Sequence, residues 1–216
     1  GGTFDSTMHL LASRWGTRVV LDYRGRLTLR DGRALVLPRR TLLSDIDGPL
    51  SVDNLGVSTT GVTMALNASP LSARGRIGFA GGTAIDLVLR SRTLDLRTLQ
   101  ATLFPKAQLR LRGLARGEVR VTGTASSPRV EGRIDRAEGA IDRQGFADLS
   151  GRFSYYGGLL SFDNLAASAG GGRVAGHLRL NVRTGTFFVL ADMRNVEARV
   201  LDGAGLTLAP TFEGAA

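Results

Sequence analysis

Two histidines, 19 carboxylates and no cysteine bound the chemistry open to this chain of 216 residues. A nucleophilic serine needs an imidazole held beside it, and only His9 and His177 are on offer. His9 lies near the start of the chain, while His177 takes a polar position between Arg173 and Arg179, where a solvated ring is the simpler reading. The carboxylates are scattered singly, so no stretch has the spacing of a cation-ligand set, and without cysteine there is neither a thiolate metal site nor a disulfide framework. Gly170-Gly171-Gly172 would need a following helix to cradle a phosphate, yet the run behind it, 174–182, alternates like a strand. Asp53 and Asp163 recur in two copies of the phrase Leu-Ser-x-Asp-Asn-Leu, at 50–55 and 160–165, which reads as an equivalent Asp-Asn turn in each. Carboxylates that meet only in space, as in glycoside hydrolysis, leave no sequence signature. Apart from them, the residues point to no enzyme, no metal and no cofactor.

What must position these side chains is strand nearly throughout. In Val19 to Arg30 the apolar set is Val19, Leu21, Tyr23, Leu27 and Leu29, and Arg18, Asp22, Arg24, Arg26, Thr28 and Arg30 point the other way, as a side-chain period of two requires. The pattern returns with Leu109, Leu111, Val119 and Val121, with Val130 and Ile134, with Leu149, Phe153 and Tyr155, with Leu160 and Phe162, and with Val174, Leu178 and Leu180. Arginine occupies the intervening positions at Arg110, Arg112, Arg152 and Arg179. Only Asp95 to Phe104 reads as a helix, with Asp95 as cap, Leu96, Leu99 and Leu103 on one side and Pro105 as its stop. One short helix cannot cover about a dozen strands, so the expectation is a sandwich, a closed barrel or a sheet curled upon itself. Glycines inside the strands, among them Gly25, Gly75, Gly113, Gly132 and Gly176, permit bending or close backbone approach. The alternation breaks between Pro38 and Gly48, a candidate boundary.

The net charge is +9, and all but Lys106 of the 28 basic residues are arginine. They are dispersed along many strands among Asp and Glu, and aromatics are 6% of the chain, unlike the basic patch with stacking rings that binds nucleic acid. No segment holds the roughly 18 apolar residues of a membrane helix. The chain opens Gly-Gly-Thr and its last residues run into what reads as another alternating stretch, so an internal slice of a longer protein is expected.

From Ala107 onward the order of phrases is specific: Glu118-Val-Arg-Val-Thr-Gly-Thr-Ala-Ser-Ser-Pro-Arg-Val-Glu-Gly-Arg-Ile134, Gly139-Ala-Ile141, Leu149-Ser-Gly-Arg-Phe153, Gly158-Leu-Leu-Ser-Phe-Asp-Asn-Leu165, Ala169-Gly-Gly-Gly-Arg-Val174 and Gly176-His-Leu-Arg-Leu180. This order resembles the TamB branch of the AsmA-like proteins, the translocation and assembly module proteins of the diderm envelope. The resemblance implies an all-β fold, one long antiparallel sheet curled into a U-shaped, β-taco-like trough with an apolar interior. Residues 1–105 would form its N-terminal part, ending in the short helix, and 106–216 the TamB-like continuation. It further implies a periplasmic segment of an inner-membrane-anchored protein that carries phospholipid acyl chains towards the outer membrane, with an Omp85-type barrel as partner of the full-length protein. The groove would be lined by Val19, Leu21, Tyr23, Leu27, Leu29, Leu109, Leu111, Val119, Val121, Ile134, Phe153, Tyr155, Leu160, Phe162, Val174, Leu178 and Leu180. The alternative is a scaffold that holds outer-membrane protein clients by strand addition.

Overall fold

The computed structural model describes residues 2–15, 18–36, 41–79, 83–103 and 110–196. Strand takes up 83% of them, which leaves no helical layer to cover either side. Twelve strands follow one another: β1 (Thr3–Trp15), β2 (Arg18–Val36), β3 (Thr41–Asp53), β4 (Gly56–Leu66), β5 (Ser69–Gly78), β6 (Ala84–Asp95), β7 (Leu111–Thr124), β8 (Ser127–Ile141), β9 (Gln144–Tyr156), β10 (Leu159–Ala169), β11 (Gly172–Asn181) and β12 (Phe187–Arg194). Each pairs antiparallel with the next, in a single sheet whose order is the chain order. β1 and β12 do not pair with each other, so the sheet is not closed into a barrel. Short turns make this topology local: Asn67-Ala68, Gly157-Gly158 and Gly170-Gly171 all have positive φ at both positions, the geometry that matches strand twist in a two-residue hairpin.

The one helix among the described residues, α1 (Leu96–Leu103), interrupts the sequence between β6 and β7 but not the sheet, because β6 and β7 pair directly. Asp95 caps it as expected: its Oδ1 accepts from the Arg97 backbone N–H at 2.8 Å. Leu96 is buried at 7% exposure. Phe104, Pro105 and the strand position of Leu109 lie outside the described residues.

Register shifts recur near the middle of the strands, between Leu29 and Gly32, Thr59 and Val62, Ser91 and Leu94, Arg116 and Gly117, Ile134 and Ala137, and Asp163 and Ala166. Together they form a line of bulges that runs from β2 to β5 and again from β6 to β10, with β5 and β6 paired without a shift between them. Each bulge bends its strand and raises the local twist. Two sequence expectations are corrected here. Of the expected boundary from Pro38 to Gly48, residues 38–40 lie outside the described residues, and Ser44 to Gly48 is no break: Asp45 and Gly48 take positive φ inside β3, which stays paired on both sides. The second Asp-Asn is not a turn either. Asn54 lies in the turn between β3 and β4, whereas Asp163-Asn164 lies inside β10, with Asn164 at φ 52° beside a register shift. The cause is the preceding Gly157-Gly158, which turns the chain before the phrase begins, so the phrase starts a strand instead of ending one.

Candidate functional site

Directly opposed residues of an antiparallel pair share a face, so the registers assign every described strand position to one side. Three rows follow. One runs Met8, Gly25, Val52, Val57, Ile77, Ile85, Gly123, Pro128. A second runs Thr59, Gly75, Leu87, Val121, Val130, Tyr155, Leu160, Leu180, Phe187. The third runs Val62, Ala73, Leu89, Val119, Gly132, Phe153, Phe162, Leu178, Val189. All three lie on the same face. The latter two cross nine strands, and eight steps of about 4.8 Å make each row roughly 38 Å long.

Every expected groove residue whose side chain is described belongs to this face. Tyr23, Leu27 and Leu29 stand on alternate positions around Gly25, with Leu27 opposite Leu50. Leu111 opposes Ile141, Ile134 opposes Gly117 and Gly151, and Val174 opposes Ala167 and Met193. Val19 and Leu21 pair by backbone with Arg14 and Ala12, and Leu109 lies outside the described residues. Leu160 is buried, and the others with described side chains are half-buried. No large side chain of the described residues is fully buried. The face is therefore mostly apolar across the sheet, and among the described residues no second sheet or helical layer lies over it, α1 meeting mainly β6 and β7.

Sequence reading missed Ile85, Leu87 and Leu89 of β6. Val88, which opposes Arg120 on the other face, makes 87–89 read as an unbroken apolar run. The signal that would have found them is the Asp86 and Arg90 pair bracketing the run at an even spacing.

Glycine shapes this face in two ways. A Cβ on Gly139 would lie 1.9 Å from the Arg112 carbonyl oxygen, and one on Gly113, its direct partner, 2.0 Å from that of Glu138. Only bare backbone fits where β7 and β8 approach so closely. At Gly132 the missing side chain is replaced by the Phe153 ring of β9, whose Cζ would be 2.4 Å from a Cβ there, an aromatic covering a strand glycine. Phe153 also meets Phe162, with ring centroids 5.8 Å apart and planes tilted by 40°.

The opposite face is charged and crossed by ion pairs. Arg120 forks onto Asp86 at 3.1 and 3.0 Å, Arg76 reaches across β4 to Asp53 at 2.9 Å, and Arg136 meets Asp148 at 3.0 Å. Arg90 hydrogen-bonds Glu118 and thereby holds its carboxyl below the usual carboxylate range, against weak desolvation and with help from the charges of Arg133 and Arg74. The hydrogen bond and charge of Asp86 raise the Arg120 guanidinium further above its ordinary value. Arg24, Arg26, Arg112, Arg152 and Arg179 are exposed, as expected. His177 is here too, its Nδ1 3.5 Å from Asp163 Oδ1, and both are about half exposed. His9 opposes Arg24 across β1 and β2. Among the described residues no three His, Asp or Glu side chains gather as a metal site, and no helix is long and apolar enough to cross a membrane. No family model, no curated protein and no solved structure matches the chain.

Proposed function

We propose that this chain is a segment of a periplasm-spanning hydrophobic conduit of the TamB/AsmA-like type, whose apolar face carries phospholipid acyl chains between the inner and outer membranes. The observation that carries the reading is the pair of rows across nine strands, apolar but for Thr59 and glycine, left largely half-exposed on one face. A row perpendicular to the strands runs along the sheet's long axis, the direction in which a lipid would travel. The line of bulges and the close-packed glycines support a sheet bent into a U-shaped trough around that face. In the full-length protein an inner-membrane anchor and an Omp85-type barrel partner would stand at the two ends.

The energetics suit a conduit. Moving ten methylenes from water onto an apolar surface gains about 8 kcal/mol at about 0.8 kcal/mol each. A bilayer interior offers a similar gain, so transfer between bilayer and face is close to neutral and the lipid is not trapped. Native mass spectrometry of the purified chain tests the reading: bound phospholipid is expected, and a chain that neither retains nor takes up added phospholipid overturns it. A second reading, a scaffold for outer-membrane protein clients, is favoured by the edges. β1 and β12 have unpaired outer sides among the described residues and expose Phe4, Leu10, Phe187 and Phe188 at 58–68%, features suited to strand addition.

A further inference from the structure

At one end of the sheet, the Gly170-Gly171 turn and the adjoining ends of β8, β9, β10, β11 and β12 line an open cavity of about 760 Å³. Its lining comes from both faces. Phe146 and Ala169 oppose each other in the apolar row that also holds Gly139 and Gly172. Ser168, Arg173 and Arg194 oppose one another in turn on the charged face. The cavity therefore sits at the rim where the two faces meet.

Its arginines form a like-charge pair of a kind the charged face also holds at Arg116–Arg136 and Arg133–Arg152, but here in a cavity that no carboxylate lines. Arg173 stands directly opposite Arg194, a like-charge pairing that is destabilising across strands. Arg194 is answered only by Asp192 on its own strand, at 3.4 Å, and Arg173 has no carboxylate within ion-pair distance among the described residues. No Asp or Glu lines this cavity. A second cavity, about 460 Å³ around Arg92, Arg116 and Arg136, also holds two opposed arginines, Arg116 and Arg136, but it contains Glu138, and there Arg136 is already held by Asp148. Two opposed guanidinium groups beside side-chain-free backbone are suited to fork onto phosphate oxygens. We infer that the rim cavity binds a phosphate-bearing anion, and, resting on the conduit reading, that this anion is the headgroup of a lipid whose acyl chains lie on the adjoining apolar face.

The test is calorimetric titration of the purified chain with three soluble probes: dioctanoyl phosphatidylglycerol, dioctanoylglycerol and glycerol phosphate. Phosphatidylglycerol is expected to bind about tenfold more tightly than dioctanoylglycerol, the scale of charge-assisted hydrogen bonds. In R173Q/R194Q that preference should vanish while dioctanoylglycerol affinity is unchanged, and the melting temperature should not fall, since a like-charge contact is removed. R173K should keep part of the preference, and R179Q, on the same strand outside the cavity, all of it. Equal binding of the two lipids by the unaltered chain, or a preference that survives R173Q/R194Q, overturns the headgroup site and leaves the conduit standing. Binding of glycerol phosphate alone, lost in R173Q/R194Q, supports an anion site for a soluble phosphate and overturns the conduit. Binding of none of the three overturns both.

Discussion

On the charged face of the sheet several arginines are answered by a carboxylate of a neighbouring strand, as Arg120 is by Asp86 and Arg136 by Asp148. On the other face, built by the same strands, Leu178, Phe162 and Phe153 meet only apolar residues and glycine of their neighbours, and no second layer of the described residues lies over them. The charged face satisfies itself in water. The apolar face does not, and a large exposed apolar surface marks a place where something binds. The difference also extends to backbone tolerance: the glycines at which neighbouring strands come closest, Gly113 and Gly139, lie on the apolar side.

The largest expected effect breaks that glycine contrast. Gly139→Ala forces a Cβ against the Arg112 carbonyl and should cost about 2–4 kcal/mol. Gly145→Ala, where a Cβ would meet nothing nearer than the Gly139 carbonyl oxygen at 3.8 Å, should be neutral or stabilise by up to about 1 kcal/mol. Urea unfolding of both variants checks this, and equal costs would erase the contrast. Next comes function. Leu178→Asp or Phe153→Asp, in the full-length protein, should abolish complementation of an outer-membrane permeability defect, because a carboxylate on the acyl path must be desolvated; Arg179→Glu should not. Expression and folding are measured alongside, and normal complementation by a folded Leu178→Asp protein would favour the scaffold.

Phe153→Ala removes the ring that covers Gly132 and meets Phe162. Because the ring is only half-buried, the loss should be about 1–3 kcal/mol, below the 3–5 of a fully buried phenylalanine, by the same unfolding measurement. The smallest effect belongs to the charged face. The folded-state pKa of Glu118 lies below its ordinary value, so its stabilising contribution is present above the unfolded carboxylate pKa and is lost as pH falls through the folded one. Glu118→Gln should therefore be slightly less stable than the unaltered chain at neutral pH and indistinguishable at pH about 2–3, well under the usual carboxylate values. A difference that grows on acidification would reverse the assigned sign.

Much of the fold was legible in the sequence because the information is local. The alternation of Leu27 and Leu29 with Arg26 and Arg30, or of Leu178 and Leu180 with His177 and Arg179, names both the element and the face without reference to any partner. Asp95 announced the helix by its capping chemistry. Where charge does not mark the outer side, legibility falls: Leu87-Val88-Leu89 hides its alternation, and Ser44 to Gly48 mimics a linker although it is bulged strand. The rim cavity was invisible in the sequence, since Arg173 and Arg194 are opposed only once β11 and β12 pair.

The two copies of Leu-Ser-x-Asp-Asn-Leu mark the division most sharply. The sequence by itself determined that each carries apolar side chains at alternate positions and a backbone able to take positive φ at Asx. Whether that ability is spent on a turn, as around Asn54, or on a bulge, as at Asn164, was decided by the tertiary structure. Strand pairing supplies the reason: the place of the phrase relative to the last turn sets its register, and register depends on hydrogen bonds to a neighbouring strand that the phrase does not contain.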